Sequence, residues 1–139
     1  MREETLERQK KLGVVPVNTV LAPKPKEIKD WANLTPEEKR LFEKQMEVFA
    51  GFGEHTDYEV GRLVDALEER GELDNTLFFY IVGDNGSSAE GGMIGELNES
   101  SHLNGVTETL EMQLRKLDVL GTEETYNNYA AGWAIAGNR

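Results

Sequence analysis

Six apolar residues follow one another without a break from Leu77 to Val82, at the start of the stretch LFFYIVGDNGSSAEGG. The run is rich in aromatic and β-branched residues and does not alternate with polar ones, which is typical of a strand covered on both faces. Such a strand needs neighbouring strands, because its backbone N–H and C=O groups have to be paired in an interior. The run therefore predicts one buried strand of a central sheet.

A long amphipathic helix is predicted before this strand. Thr35 is suited to the N-cap, Pro36 to the first helical position, and Glu38 completes a capping box three residues after the cap. Apolar residues then recur at helical spacing over roughly 30 residues, and Gly71 provides a C-terminal stop. Helix, turn and strand make up half of an α/β repeat, so the predicted fold class is α/β.

The rest of the chain divides around this unit. Residues 1–34 are predicted to be an extended connector. Within this range, residues 1–12 form a short charged helix, and a proline-bearing extended loop follows it. Residues 35–92 hold the helix, the turn, the strand and the loop after it. Residues 93–139 are predicted to form one helix, over residues 107–120, and then a loop or marginal strand. Because only one strand is evident, the sheet must be completed by another polypeptide or by the rest of a larger protein.

Composition excludes several classes of function. The chain has 139 residues and a net charge of -11, and a surface this acidic repels nucleic-acid phosphates. No apolar run is long enough for a membrane span. Cysteine is absent, which excludes disulfides, thiolate metal sites and a cysteine nucleophile within this chain. Trp31 and Trp133 are interpreted as packing anchors.

Asp84 and Asn85 are the main site candidates. They follow the predicted strand, and open α/β sheets bind ligands beyond the carboxyl ends of their strands. Their side-chain oxygens suit a hard divalent cation such as calcium or magnesium, and Gly83 and Gly86 let the backbone approach a ligand and turn away. An ordinary Asp-Asn-Gly turn is the alternative, and position and composition leave both open.

The two histidines are weaker candidates. His55 lies among acidic residues on the long helix, where it could bind a metal or transfer protons, but a solvated helix face is the commoner explanation. His102 follows two serines, yet nothing there defines a nucleophile and its base. Glu37 and Glu38 are interpreted as a solvated face with helix-end electrostatics.

The segment GRLVDALEERGELDNTLFFYIVGDNGSSAEGG resembles the sulfatases, most closely the bacterial arylsulfatases. QMEVFAGFGEHTDYEVGRL and YNNYAAGWAIAGN are similar to the same family, so the resemblance covers nearly the whole chain. It implies a partial alkaline-phosphatase-like α/β fold, with residues 1–139 as one segment of a catalytic domain that hydrolyses small-molecule sulfate esters. It also implies a calcium ion, held in part by Asp84 and Asn85.

Several sequence motifs of the sulfatase family are missing from this chain, and their absence changes the activity that we expect of it. The C/S-x-P-S-R motif that yields the formylglycine nucleophile is absent, and so are the early aspartate pair and the lysine- and histidine-bearing motifs. We therefore expect an internal fragment with no catalytic residue of its own, inactive alone. Two alternatives stay open: a fragment of a related phosphomonoester or phosphonate hydrolase, and a non-catalytic helical module whose strand pairs with a partner's sheet edge. Exposed sheet edges would also favour self-association.

Overall fold

The computed structural model describes residues 2–81, 83 and 86–137. Within them the chain is helical, and its extended pairing is limited to two isolated bridges, Glu96 with Asn128 and Asn98 with Tyr126. The α-helices are α1 (Arg2–Lys11), α2 (Pro36–Glu69), α3 (Glu99–Leu103), α4 (Leu110–Arg115) and α5 (Ala131–Gly137). Short 3-10 helices occupy Trp31–Asn33, Leu73–Asn75 and Leu117–Val119.

The predicted start of α2 is confirmed. The Thr35 hydroxyl accepts a hydrogen bond from the Glu38 N–H at 3.1 Å, and the Glu38 carboxylate accepts one from the Thr35 N–H at 2.8 Å. Glu38 is buried, so its interpretation as part of a solvated face is wrong. Lys29 donates to its other carboxylate oxygen at 2.6 Å. The Lys29 hydrogen bond, followed by that from the Thr35 backbone, lowers the pKa of Glu38 from its ordinary value of 4.5.

The Glu38 carboxylate makes the free energy of unfolding depend on pH. Because the pKa of Glu38 is lower in the folded chain, its stabilisation is present above pH 4.5 and is lost as pH falls through the folded-state pKa. We expect Glu38→Gln to lower the free energy of unfolding at neutral pH by about 1 kcal/mol and to flatten its acid dependence. Urea unfolding between pH 7 and pH 3 measures both quantities. Glu37→Gln, at the exposed neighbouring position, should leave both almost unchanged, and an equal effect there would contradict the assignment.

The predicted end of α2 is also confirmed. Gly71 has a φ of +69°, a conformation that glycine adopts without the steric penalty of a side chain. Its N–H donates to the Glu68 carbonyl at 2.8 Å, and the Glu72 N–H donates to the Leu67 carbonyl at 3.0 Å. These two bonds form a Schellman motif, which satisfies carbonyls that the helix itself leaves unpaired.

The core lies where the first half of α2 meets the C-terminal part of the chain. Its buried residues are Leu41, Phe42, Leu117, Leu120 and Ala130, and partly buried apolar side chains from α2, α4 and the intervening loops pack around them. The second half of α2 is different, since Phe52, Tyr58 and Leu63 are largely exposed. The second half of α2 is therefore less covered by the described residues than the first half, which contains the buried Leu41 and Phe42.

Two buried glutamines connect the elements around this core. Gln45 and Gln113 are both fully buried, and Gln45 Nε2 donates to Gln113 Oε1 at 3.0 Å. Gln45 also donates to the Ile94 carbonyl at 2.8 Å and accepts from the Ala130 N–H at 3.0 Å. Gln113 donates to the Gly95 carbonyl at 2.7 Å. The two side chains thus satisfy three buried backbone groups and join α2, α4, the loop before α3 and the start of α5.

Removing one member of this network should destabilise the whole chain. Gln45→Leu keeps the volume roughly but removes the partner of the Ile94 carbonyl, the Ala130 N–H and the Gln113 Oε1, so we expect a loss of about 2–4 kcal/mol in the free energy of unfolding. Urea or thermal unfolding followed by circular dichroism measures it. Gln9→Leu on α1 is the matched control and should change stability by less than about 0.5 kcal/mol. Equal losses in the two variants would show that the network has no special role.

The predicted α/β fold with a buried central strand is wrong for this chain. Residues 77–81 have no regular secondary structure, and within the described part of the chain no backbone hydrogen bond joins them to another segment. Leu77, Phe79 and Ile81 are 78%, 74% and 90% exposed. A strand is held by its hydrogen-bonded neighbours and by layers on its faces, and the described residues supply neither. Val82 lies outside the described residues.

Two other segments differ in detail from the sequence predictions. The helix predicted over residues 107–120 is shorter, because α4 ends at Arg115 and a 3-10 helix follows over Leu117–Val119. The tail predicted as a loop or marginal strand contains α5. None of the helices in the described ranges has the length and apolar character needed to cross a membrane.

Candidate functional site

An open cleft of about 1050 Å³ is lined in part by Gly83 and Gly86, the described glycines on either side of the predicted metal ligands in the sequence. Its lining comes from within residues 45–55 of α2, from residues 83 and 86–88, from within residues 120–129, and from Gly137 at the end of α5. Volumes of this order are typical of small-molecule sites. The cleft therefore gathers three parts of the chain that are distant in sequence.

The α2 wall of the cleft is aromatic. Phe49 lies edge-to-face with Tyr129 at a centroid distance of 4.9 Å, an arrangement favoured by the ring quadrupoles. Phe52 and His55 extend the same wall one and two turns further along the helix. His55 is exposed, as its interpretation as part of a solvated helix face predicts, and it also lines the open cleft.

The loop wall is held by a short backbone bridge. Glu96 and Asn128 exchange two N–H to carbonyl hydrogen bonds, each 3.0 Å long. Gly95 precedes this bridge with a φ of +77°, and a Cβ there would come within 2.6 Å of the Asn128 carbonyl and would also clash with the Gln45 amide. A residue without a side chain is therefore required where the bridge meets the buried glutamines.

Asn128 is a site residue that sequence reasoning missed. Its side-chain Nδ2 is buried and has no hydrogen-bond partner in the described part of the chain, and the residue lines the cleft. A buried amide without a partner is unfavourable, so it is a candidate donor to a bound molecule. No local signal in YNNY marks this asparagine, because the burial of its Nδ2 depends on the packing of distant segments.

The predicted metal ligands flank this cleft in sequence. Asp84 and Asn85 themselves lie outside the described residues. Gly83 and Gly86 on either side of them both line the cleft, and Gly86 has a φ of +80°, which supports the predicted role of this glycine in a sharp turn.

The other sequence candidates are not gathered at the cleft. His102 is mostly exposed, and its Nδ1 lies 3.9 Å from a carboxylate oxygen of Glu96. Within the described ranges no three His, Cys, Asp or Glu side chains form a metal-binding group. The described lining of the cleft contains no Asp, Glu, Lys or Arg. The polar side chains of this described lining are hydroxyl, amide and imidazole groups.

Comparisons with known proteins give one consistent result. The family model described as Sulfatase matches residues 9–130. An uncharacterized sulfatase of Schizosaccharomyces pombe (strain 972) is 35% identical over 137 residues, and an arylsulfatase of Klebsiella aerogenes is 27% identical over 135 residues. These matches cover 98% and 97% of this chain but only 24% and 27% of the two relatives, so the chain spans about a quarter of their length. No solved structure gives a significant match.

Proposed function

The chain belongs to the sulfatase family, and from that premise we propose that it is part of an arylsulfatase and supplies Asp84 and Asn85 to a calcium site. The predicted resemblance to the sulfatases is confirmed, and with it membership of a family of hydrolases. The observation that carries the proposal is the extent of the match, which runs through both residues. The glycines that flank them line the cleft, which supports a ligand-binding role for this loop.

The donor chemistry fits calcium. A carboxylate and a carboxamide provide the hard oxygen ligands that calcium prefers, and the ion takes about six to eight of them. Asp84 and Asn85 therefore account for only part of a coordination sphere. When bound, calcium offsets the negative charge of the sulfate oxygens and orients the group.

The chain alone has no candidate for the covalent step. It contains no cysteine and no C/S-x-P-S-R motif, so no precursor of a formylglycine nucleophile is present in these 139 residues. Metal ligands without a nucleophile cannot form the covalent intermediate. We therefore propose that this chain does not hydrolyse sulfate esters by itself.

A chimera tests the metal-ligand role. The chain replaces the matching quarter of the Klebsiella aerogenes arylsulfatase, and hydrolysis of 4-nitrophenyl sulfate is followed with and without calcium. We expect calcium-dependent turnover that Asp84→Ala lowers by at least about 100-fold, because a lost ligand weakens the metal that stabilises the transition state. Asp74→Ala, in the turn before the loop, is the control and should keep most of the activity.

The isolated chain provides the second arm of this test. It should show no turnover of the same ester and only weak calcium binding in a calorimetric titration. Turnover by the chain alone, or activity of the Asp84→Ala chimera equal to that of the Asp74→Ala chimera, would contradict the proposal.

A second function, as an interaction module, is favoured by residues 77–81. These five apolar residues make no backbone hydrogen bonds within the described ranges, and most of their surface is exposed. An unpaired apolar segment can form a strand with a copy of itself, since the pairing satisfies the backbone and removes apolar surface from water. We propose that two copies of the chain associate through this segment.

Self-association should depend on salt and on one side chain. The net charge of -11 opposes the approach of two copies, so raising ionic strength should shift sedimentation towards the dimer. Phe79→Lys should weaken dimerisation by about tenfold or more, because a lysine in the contact would be costly to desolvate. Val20→Lys, at an equally exposed apolar position outside the segment, is the control. A monomer at all salt concentrations, or equal effects of both lysines, would overturn this proposal.

A further inference from the structure

A second cavity, of about 650 Å³, lies between the connector before α2, the first turns of α2, and α5. It shares no described lining residue with the cleft that Gly83 and Gly86 line. Its volume falls in the range of about 300–1,000 Å³ that is typical of small-molecule sites.

The walls of this cavity are aromatic and apolar. Trp31 and Trp133, the two tryptophans of the chain, both line it, with ring centroids 5.6 Å apart and planes inclined at 53°. The Trp133 Nε1–H donates to the Phe42 carbonyl at 2.9 Å, so this indole is oriented and its polar atom is satisfied. Ile28 and Ile94 add aliphatic surface. Flat aromatic molecules suit such walls, because they bury large apolar area and stack or meet edge-on with indoles.

One unpaired donor belongs to the lining of this cavity. Arg2 donates from a terminal guanidinium nitrogen to the Ala22 carbonyl at 3.3 Å, but its Nε is buried and has no hydrogen-bond partner. Arginine is permanently charged, and leaving a buried donor of a charged group unpaired is costly. An acceptor on a bound molecule would satisfy Nε, and a carboxylate is the acceptor whose geometry a guanidinium matches best.

The other cations of the lining are already neutralised. Lys29 pairs with Glu38, and Lys24 pairs with Asp30. Glu27 has no ion-pair partner among the described residues and adds a negative charge to the lining, which opposes an anion. Arg2 is thus the one cation of this described lining that is free to bind a carboxylate, and a single negative charge is the most that the cavity favours.

We propose that this cavity binds an aromatic monocarboxylate of one or two rings. The rings lie between the connector and α5 against the two tryptophans, and the carboxylate accepts from Arg2 Nε. The site goes beyond the proposed sulfatase function, because it uses neither Asp84 nor Asn85 and does not depend on calcium.

Calorimetric titration of the 139-residue chain with 2-naphthoate and with its neutral isostere 2-naphthamide tests this proposal. We expect saturable binding of the carboxylate, at least about tenfold tighter than binding of the amide, which corresponds to the value of one charge-assisted hydrogen bond. Both tryptophans should report the same titration by fluorescence, since both line the cavity. Glu27→Gln should strengthen naphthoate binding and leave naphthamide binding unchanged, because it removes the repulsive charge.

Three variants separate the site from non-specific binding. Arg2→Met should abolish the preference for the carboxylate, while Arg8→Met on the same helix makes the same change in net charge and should alter it less than twofold. Ala136→Phe should fill the cavity and prevent binding of both ligands, while circular dichroism should show that α2 is still folded. This variant keeps the proposal testable even if Arg2→Met does not fold. No saturable binding to the wild-type chain, equal affinity for the two ligands, or equal effects of Arg2→Met and Arg8→Met would each overturn the proposal.

Discussion

The hydrogen-bonded pair of buried amides, Gln45 and Gln113, is the interaction on which the rest of this fold depends. A helical chain with so few paired strands leaves loop backbone groups without partners, and an unpaired group in an interior is costly. The two glutamine side chains each carry a donor and an acceptor, and together they satisfy groups of residues 94, 95 and 130. The apolar core around Leu41 and Leu117 can close only because this backbone is satisfied.

The same network positions the candidate site. Gly95 is in contact with the Gln45 amide and leads directly into the bridge between Glu96 and Asn128. The bridge holds the loop wall of the cleft, while α2, which carries Gln45, provides the opposite wall. The buried network and the cleft therefore share the backbone around Gly95 and Asn128. The described residues that line the cleft include no carboxylate, ammonium or guanidinium group.

The sequence predicted the long helix well, because its signals are local. Thr35, Glu38 and Gly71 act within a few residues of the backbone groups that they satisfy, and the structure confirms their roles. The strand prediction for Leu77 to Val82 was wrong for the opposite reason, since an apolar run becomes a strand only when distant segments pair with it. Helix α5 was missed because its small residues carry neither a capping signal nor a clear polar face; the Ala130 N–H, just before the helix, donates to the Gln45 side chain.

The candidate site residues differ in the same way: some have a local sequence signal, and others depend on contacts between distant segments. Asp84 and Asn85 were predicted because their residue types and their place after an apolar run are visible in the sequence; they lie outside the described residues and stay a prediction. Asn128 and the aromatic contact between Phe49 and Tyr129 were not found, because they depend on residues about 80 positions apart meeting across the cleft.

The sequence by itself determined the bounds of α2, the acidic surface, the absence of a cysteine nucleophile and the family. Each of these rests on residue identity or on interactions within one turn of the backbone. Only the tertiary structure decided that residues 77–81 stay unpaired, that two glutamines close the core, and that two tryptophans and Arg2 surround a cavity. These features arise from packing between segments distant along the chain, and the energy of such contacts exists only once the fold has brought them together.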